Sequence, residues 1–176
     1  MSVQKKILLH SCCAPCASAC LERLLDMGYE VTLFFSNSNI SPREEYDKRL
    51  ASMRDLSNSF QVPLHIDAWD HSSWRAFVAG LEKEPEKGKR CLKCFEFSFQ
   101  RAHLKAEDLK IPAFTSTLSI SPHKPSPTIF QVGSRFPGFQ AMDFKKKNGF
   151  QRSLELSRKH ALYRQQYCGC EFSKKD

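Results

Sequence analysis

The sequence predicts an α/β fold: a single domain built on one open parallel sheet with helices on its flanks. Three observations predict it. Short apolar runs of strand length, Ile7–Leu9, Val31–Phe35 and Pro63–Trp69, alternate with segments whose apolar residues recur at helical spacing. The order strand, helix, strand, helix, strand implies a parallel sheet with right-handed crossovers. The 176 residues, 41% of them hydrophobic, suffice for one core, with no internal repeat and no linker, so one domain over residues 1–176 is expected.

The elements follow in order. Ile7-Leu8-Leu9 runs directly into Ser11-Cys12-Cys13-Ala14-Pro15-Cys16, where Pro15 suits the first turn of a helix. Ala17, Cys20, Leu21, Leu24 and Leu25 continue that helix, and Gly28 stops it. Tyr46, Leu50, Met53 and Phe60 mark a second amphipathic helix. Beyond the third strand the sequence predicts a short helix over Trp74–Leu81 and an exposed charged loop over Glu82–Arg90. A helix over Cys91–Lys105 and a strand over Ala113–Leu118 come next. Pro122, Pro125, Pro127 and Pro137 argue against regular structure across Ser119–Gly138, and such loops often carry function. A final helix is predicted over Phe150–Gln166, ending at Tyr167-Cys168-Gly169-Cys170. The result is a three-layer arrangement of the HUP or Rossmann-like kind. In such sheets ligands bind beyond the carboxyl ends of the strands. Cys12 and Cys13 follow the first strand, Asn37–Asn39 the second and Ser119–Lys124 the strand at Ala113–Leu118, so a metal site is expected at that edge.

The formal net charge is +8, from 27 Lys and Arg against 19 Asp and Glu. Between Asp143 and Asp176 nine Lys or Arg face four Asp or Glu, so more than half the excess lies in the last fifth of the chain. A concentrated basic balance favours an anionic partner such as nucleic acid. No segment has the apolar length of a membrane span, and Met1–Lys6 is too short and polar for a signal peptide, so a cytoplasmic location without membrane contact is expected. In a reducing cytosol, 8 Cys point to metal binding or redox chemistry rather than to a disulfide framework.

Seven of the eight cysteines fall into three groups: Cys12, Cys13 and Cys16; Cys91 and Cys94; Cys168 and Cys170. Cys20, one turn after Cys16, reads as a small buried hydrophobe. Cys91 and Cys94 form a C-x-x-C at a helix start, where the helix terminus favours negative sulfur. Adjacent cysteines pair with each other only under strain, which favours shared metal ligation by Cys12 and Cys13. Two sulfurs from each pair supply the four thiolates of an iron–sulfur cluster, and four thiolates hold zinc equally well. Zinc leaves Cys168 and Cys170 unexplained. Cys-Gly-Cys makes a strained, labile disulfide of the catalytic kind, and a dithiol beside a cluster can pass two electrons. The loop after the first strand argues against a phosphate cradle, because it has no glycine and Pro15 has no N–H.

At these residues the chain resembles the epoxyqueuosine reductases of the QueH type. The matching pieces are His10-Ser11-Cys12-Cys13-Ala14-Pro15-Cys16, Asn39-Ile40 with Glu45-Tyr46, Arg90-Cys91 to Cys94, and Ser121-Pro122-His123-Lys124. Asp143-Phe144-Lys145-Lys146 with Gly149-Phe150, and Tyr163-Arg164-Gln165 leading into Tyr167-Cys168-Gly169-Cys170, complete the set. Ser38 departs from the pattern, where proline is expected after Asn37. The resemblance implies reduction of epoxyqueuosine to queuosine at the wobble position of the tRNA anticodon, the last step of queuosine synthesis, with two electrons and two protons. It implies a 4Fe-4S cluster on Cys12, Cys13, Cys91 and Cys94, and a redox-active pair at Cys168 and Cys170. It leaves room for a second adjacent iron, with Cys16 near enough in sequence to help hold it, and it implies no cobalamin. The partners implied are tRNA carrying epoxyqueuosine and an unidentified electron donor.

Deoxygenating an epoxide needs a reductant, a Lewis acid for the oxygen and a proton donor. His10 and His123 are candidates for the donor, with a satisfied structural histidine as the competing reading of each. Lys145, Lys146, Lys147, Arg152, Arg158, Lys159 and Arg164 are candidates for phosphate contact, and Phe136, Phe139 and Phe150 for stacking on a splayed base. Two rival readings stand beside the reductase: a non-enzymatic zinc or iron–sulfur module on a nucleic-acid binder, and a thiol–disulfide oxidoreductase.

Overall fold

The computed structural model describes residues 3–175. Four parallel strands, β1 (Lys5–His10), β2 (Tyr29–Phe35), β3 (Leu64–Ile66) and β4 (Phe114–Ser116), lie in the order β3-β2-β1-β4. The helices are α1 (Ala14–Asp26), α2 (Arg43–Phe60), α3 (His71–Phe77), α4 (Lys89–Asp108), α5 (Ser126–Gly133) and α6 (Gly149–Lys159), with 3-10 turns at Thr117–Ile120 and Glu171–Ser173.

Apolar residues fill the two central strands because both faces of the sheet are covered. Ile7, Leu9, Val31, Leu33 and Phe35 point to one face and pack with Leu21 and Leu24 of α1, Met53 and Leu56 of α2, and Leu156 of α6. Leu8, Phe34 and Phe114 point to the other and pack with Phe95, Phe99 and Ala102 of α4 and Ile129 and Val132 of α5. This is the expected three-layer sheet. The register that pairs Ile7 with Val31 and Leu9 with Leu33 brings His10, Phe35 and Ser116 to one edge, so the loops after β1, β2 and β4 meet there.

Several boundaries differ from the sequence expectation. β4 stops at Ser116, whose hydroxyl accepts the Leu118 N–H and turns the chain into the 3-10 segment. The proline-rich segment holds α5: Pro125 caps it and Pro127 sits in its first turn, where a missing N–H costs nothing. α3 starts at His71 because Asp70 caps it, accepting the Ser73 N–H at 3.1 Å. α6 ends at Lys159 rather than Gln166. Ala161 turns left-handed (φ 51°), and the Leu162 and Ala161 N–H groups bond back to the Ser157 and Arg158 carbonyls. Residues 161–170 therefore leave the helix as an irregular strap. Among the described residues no helix is long and apolar enough to cross a membrane.

Candidate functional site

β1 delivers Cys12 and Cys13 to the carboxyl edge, and α1 begins at Ala14 with Cys13 as its N-cap, placing Cys16 in the first turn. The three sulfurs lie within 4.8 Å of one another, with Cys12 and Cys13 Sγ 3.9 Å apart. Three thiols this close cannot all ionise. Hydrogen bonds from Cys13 and Cys16, aided by the Lys124 charge and Thr117, hold the Cys12 thiol well below its ordinary value. The hydrogen bonds that Cys13 and Cys16 give to Cys12, together with burial and the Cys12 charge, push Cys13 up to about 12 and Cys16 well upward. A single thiolate among three sulfurs suits a soft cation that releases the remaining protons on binding. The Cys12, Cys13 and Cys16 group is thus fit to bind a metal ion.

Donors surround these sulfurs. Thr117 Oγ1 donates to Cys12 Sγ at 3.2 Å while accepting the Cys12 N–H at 3.1 Å. Gln165 Nε2 donates to Cys13 Sγ at 2.9 Å, and its buried Oε1 has no partner among the described residues.

Cys91 and Cys94 lie in the first two turns of α4. The Lys87 N–H donates to Cys91 Sγ at 3.3 Å. Cys94 packs against the small core of Trp74, Val78 and Cys170. Burial raises the Cys94 thiol and the nearby Cys168 adds to it, while the Trp74 indole N–H pulls the other way. Among the described residues that buried indole nitrogen has no hydrogen-bond partner. Burial likewise raises Cys91. Cys91 and Cys94 are not part of the Cys12, Cys13 and Cys16 group, though Cys12 and Cys91 pack against the same apolar cluster.

The Cys-Gly-Cys loop is cradled by residues distant in sequence. Arg49, buried on α2, donates to the carbonyls of Cys168 (2.9 Å) and Tyr167 (3.0 Å) and pairs with Glu45 at 2.8 Å. Tyr163 donates to the same Glu45 carboxylate at 2.8 Å. The Ser41 N–H donates to the Gly169 carbonyl at 2.9 Å. Gly169 has φ 133°, and a Cβ there would stand 3.1 Å from both Arg49 and Ile40, so the position demands glycine. Cys168 is exposed, Cys170 is buried, and all eight cysteines are free thiols.

Lys124 joins the groups. Its loop is fastened by Lys145, whose ammonium donates to the carbonyls of Ser119 (2.7 Å) and Lys124 (2.6 Å) and to the Ser126 hydroxyl (2.9 Å). Burial opposes its charge, but Cys168, Cys12, Cys16 and Cys13 together raise its pKa. Among the described residues its ammonium makes no hydrogen bond.

The other expected residues divide. His10 is fully buried between the Ser116 hydroxyl (3.0 Å) and the Ser36 carbonyl (3.2 Å), and burial lowers its pKa, so it is a structural histidine. His123 is exposed. Cys20 is a core residue, as expected. Lys145 is occupied internally by the Ser119–Ser126 loop and so is corrected from a phosphate contact to a structural one; Arg152 pairs with Glu22 at 2.8 and 2.9 Å on the exposed surface. Lys146, Lys147, Arg158, Lys159 and Arg164 are exposed. Phe136 and Phe139 are half-buried against the core, and Phe150 is exposed. Sequence reasoning missed Thr117, Gln165, Trp74, Arg49 and Lys124 as site residues. Lys124 and Gln165 at least lie inside motifs already singled out.

A family model, epoxyqueuosine reductase QueH, matches residues 7–176. The chain is 39% identical over 186 residues to an epoxyqueuosine reductase QueH of Streptococcus pyogenes serotype M1, covering 99% of this chain and 72% of that protein. It is 38% identical to the one from Acinetobacter baylyi (97% and 81% covered) and 30% identical to the one from Thermotoga maritima (95% and 89%). Cysteine groups, strap and match run over the same residues, and the chain belongs to the epoxyqueuosine reductase QueH family.

Proposed function

We propose that this chain reduces epoxyqueuosine to queuosine at the wobble position of tRNA anticodons, with a 4Fe-4S cluster held by Cys12, Cys13, Cys91 and Cys94. One observation carries the ligand assignment: Cys12, Cys13 and Cys91 each accept a hydrogen bond, from Thr117, Gln165 and the Lys87 N–H in turn, and Cys94 packs against the core around Trp74. Donors of this kind surround thiolates that stay charged. Cys16, Cys168 and Cys170 have no such donor among the described residues. The donor set fits the group, which when bound supplies single electrons and a Lewis-acidic iron.

The chain's own residues do the rest. Lys124 brings positive charge to a pocket of thiolates. Cys168 and Cys170 are the redox pair. The reaction breaks both C–O bonds of the epoxide, forms a C=C bond and releases the oxygen as water, which takes two electrons and two protons. Oxidising the two thiols to a disulfide yields that number of each. An external donor then restores the dithiol. Arg49, Glu45 and Tyr163 hold the loop in place while the sulfurs change state.

The test is anaerobic reconstitution with iron and sulfide, then conversion of epoxyqueuosine-containing tRNA with a chemical reductant. Cys12→Ala should lose iron, colour and queuosine formation together. Full iron and sulfide in Cys12→Ala would overturn the ligand assignment. A second reading has one observation in its favour: the 3.9 Å between Cys12 and Cys13 Sγ is near the ~3.8 Å sulfur separation of a single tetrahedral ion with ~2.3 Å bonds. On that reading Cys16 is the third ligand of one ion, and the metal analysis returns zinc or one iron without sulfide.

A further inference from the structure

We infer that Thr117 and Gln165 are positioning residues that set the reduction potential of the metal centre on Cys12 and Cys13. The inference rests on the reading that those cysteines hold such a centre. Thr117 is fully buried, and its hydroxyl is committed in both directions, accepting the Cys12 N–H and donating to the Cys12 sulfur. This closes a small ring around Cys12 and fixes where its Sγ points. Gln165 is less economical. It places an amide beside Cys13, gains one bond at 2.9 Å, and leaves its carbonyl oxygen buried without a partner among the described residues. A leucine would avoid that orphaned acceptor. The amide is accounted for by what its N–H gives the sulfur.

The physical consequence has a definite sign. Reduction adds negative charge to a centre whose charge is shared by its thiolate ligands. An N–H or O–H aimed at such a sulfur stabilises the more negative state, and so raises the reduction potential. Thr117 acts from the turn after β4 and Gln165 from the strap leading to Cys168. The two donors thus come from the two segments that flank the Cys12-Cys13 pair, and their effects should add.

The experiment uses the full chain, reconstituted anaerobically, with iron and sulfide counted before a redox titration followed by electron paramagnetic resonance. Gln165→Leu and Thr117→Val should each keep the metal content and shift the midpoint potential downward, and the double variant should shift further. Thr117→Ser keeps the hydroxyl and should restore the wild-type potential. An unchanged potential in Gln165→Leu and Thr117→Val at full metal content overturns the inference while leaving the proposed function standing. Loss of metal in both variants overturns it in favour of a purely structural role. A wild-type chain that takes up no redox-active metal overturns both readings.

Discussion

Cys12, Cys13 and Cys16 crowd three ionisable sulfurs into one corner, and of the three only Cys12 is biased toward thiolate. Lys124 is the charged residue that answers this. Its ammonium stays protonated because the surrounding sulfurs outweigh burial. Lys124→Met should weaken metal retention about 10- to 100-fold, as loss of a partner just outside the ligands commonly does, whereas Lys124→Arg keeps the charge and most of the affinity. Competition with a chelator measures it, and unchanged retention in Lys124→Met would show that the charge serves something else. Arg49 illustrates the opposite case, a charge placed for structure. It is buried against Glu45 and holds two carbonyls of the strap. Arg49→Met leaves Glu45 buried without its partner and should cost about 3–5 kcal/mol, read by denaturant unfolding. Cys168→Ser should leave fold and metal intact and abolish multiple turnover, since serine accepts no electrons; normal turnover would remove Cys168 from the redox pair.

At the level of elements, three of the helices stop without glycine. α2, α4 and α6 are followed by left-handed Gln61, Lys110 and Ala161, each with the N–H of the next residue bonded back five positions. A left-handed non-glycine residue is disfavoured, so Ala161→Gly should raise stability by up to about 1 kcal/mol in thermal unfolding. A decrease would mean that the freedom gained by the unfolded chain prevails. This habit also explains what the sequence concealed. The expected helix over Phe150–Gln166 ran too far because no glycine marks its end, and the strap that carries Gln165 to Cys13 was hidden inside it. The strand run at Ala113–Leu118 hid the 3-10 turn that aims Thr117 at Cys12. The buried alternation of Ile7 to Leu9 and Val31 to Phe35, by contrast, was legible because both faces of a parallel strand are apolar. The cysteine groups were legible from their spacing. Their donors were not, because a threonine and a glutamine near a sulfur leave no pattern along the chain.

Charge belongs to the molecule as a whole, and the fold sorts it. The excess of positive charge after Asp143 suggests one basic surface, yet its members differ. Lys145 is spent on three acceptors of the Ser119–Ser126 loop, and Arg152 on Glu22 and Glu155. Lys146 and Lys147 are exposed beside them, and Arg164 is exposed one residue before Gln165, which touches Cys13. Arg164, Lys146 and Lys147 are therefore the exposed cations to test for contact with tRNA phosphates. Phosphate contacts release counterions, so each lysine lost should flatten the dependence of log affinity on log salt by about 0.7–0.9. Replacing Lys146 and Lys147 together by Ala should weaken binding of modified and unmodified tRNA alike and reduce that slope by about 1.4–1.8. Lys145→Ala should behave differently. It leaves buried acceptors unpaired and should lower stability by about 1–3 kcal/mol, with the salt slope of the folded protein unchanged. Binding measured from low to moderate salt separates the two. If Lys145→Ala flattens the slope as much as the double variant does, its ammonium leaves the loop for phosphate when tRNA binds. If neither change flattens it, the tRNA approaches over a different face of the molecule.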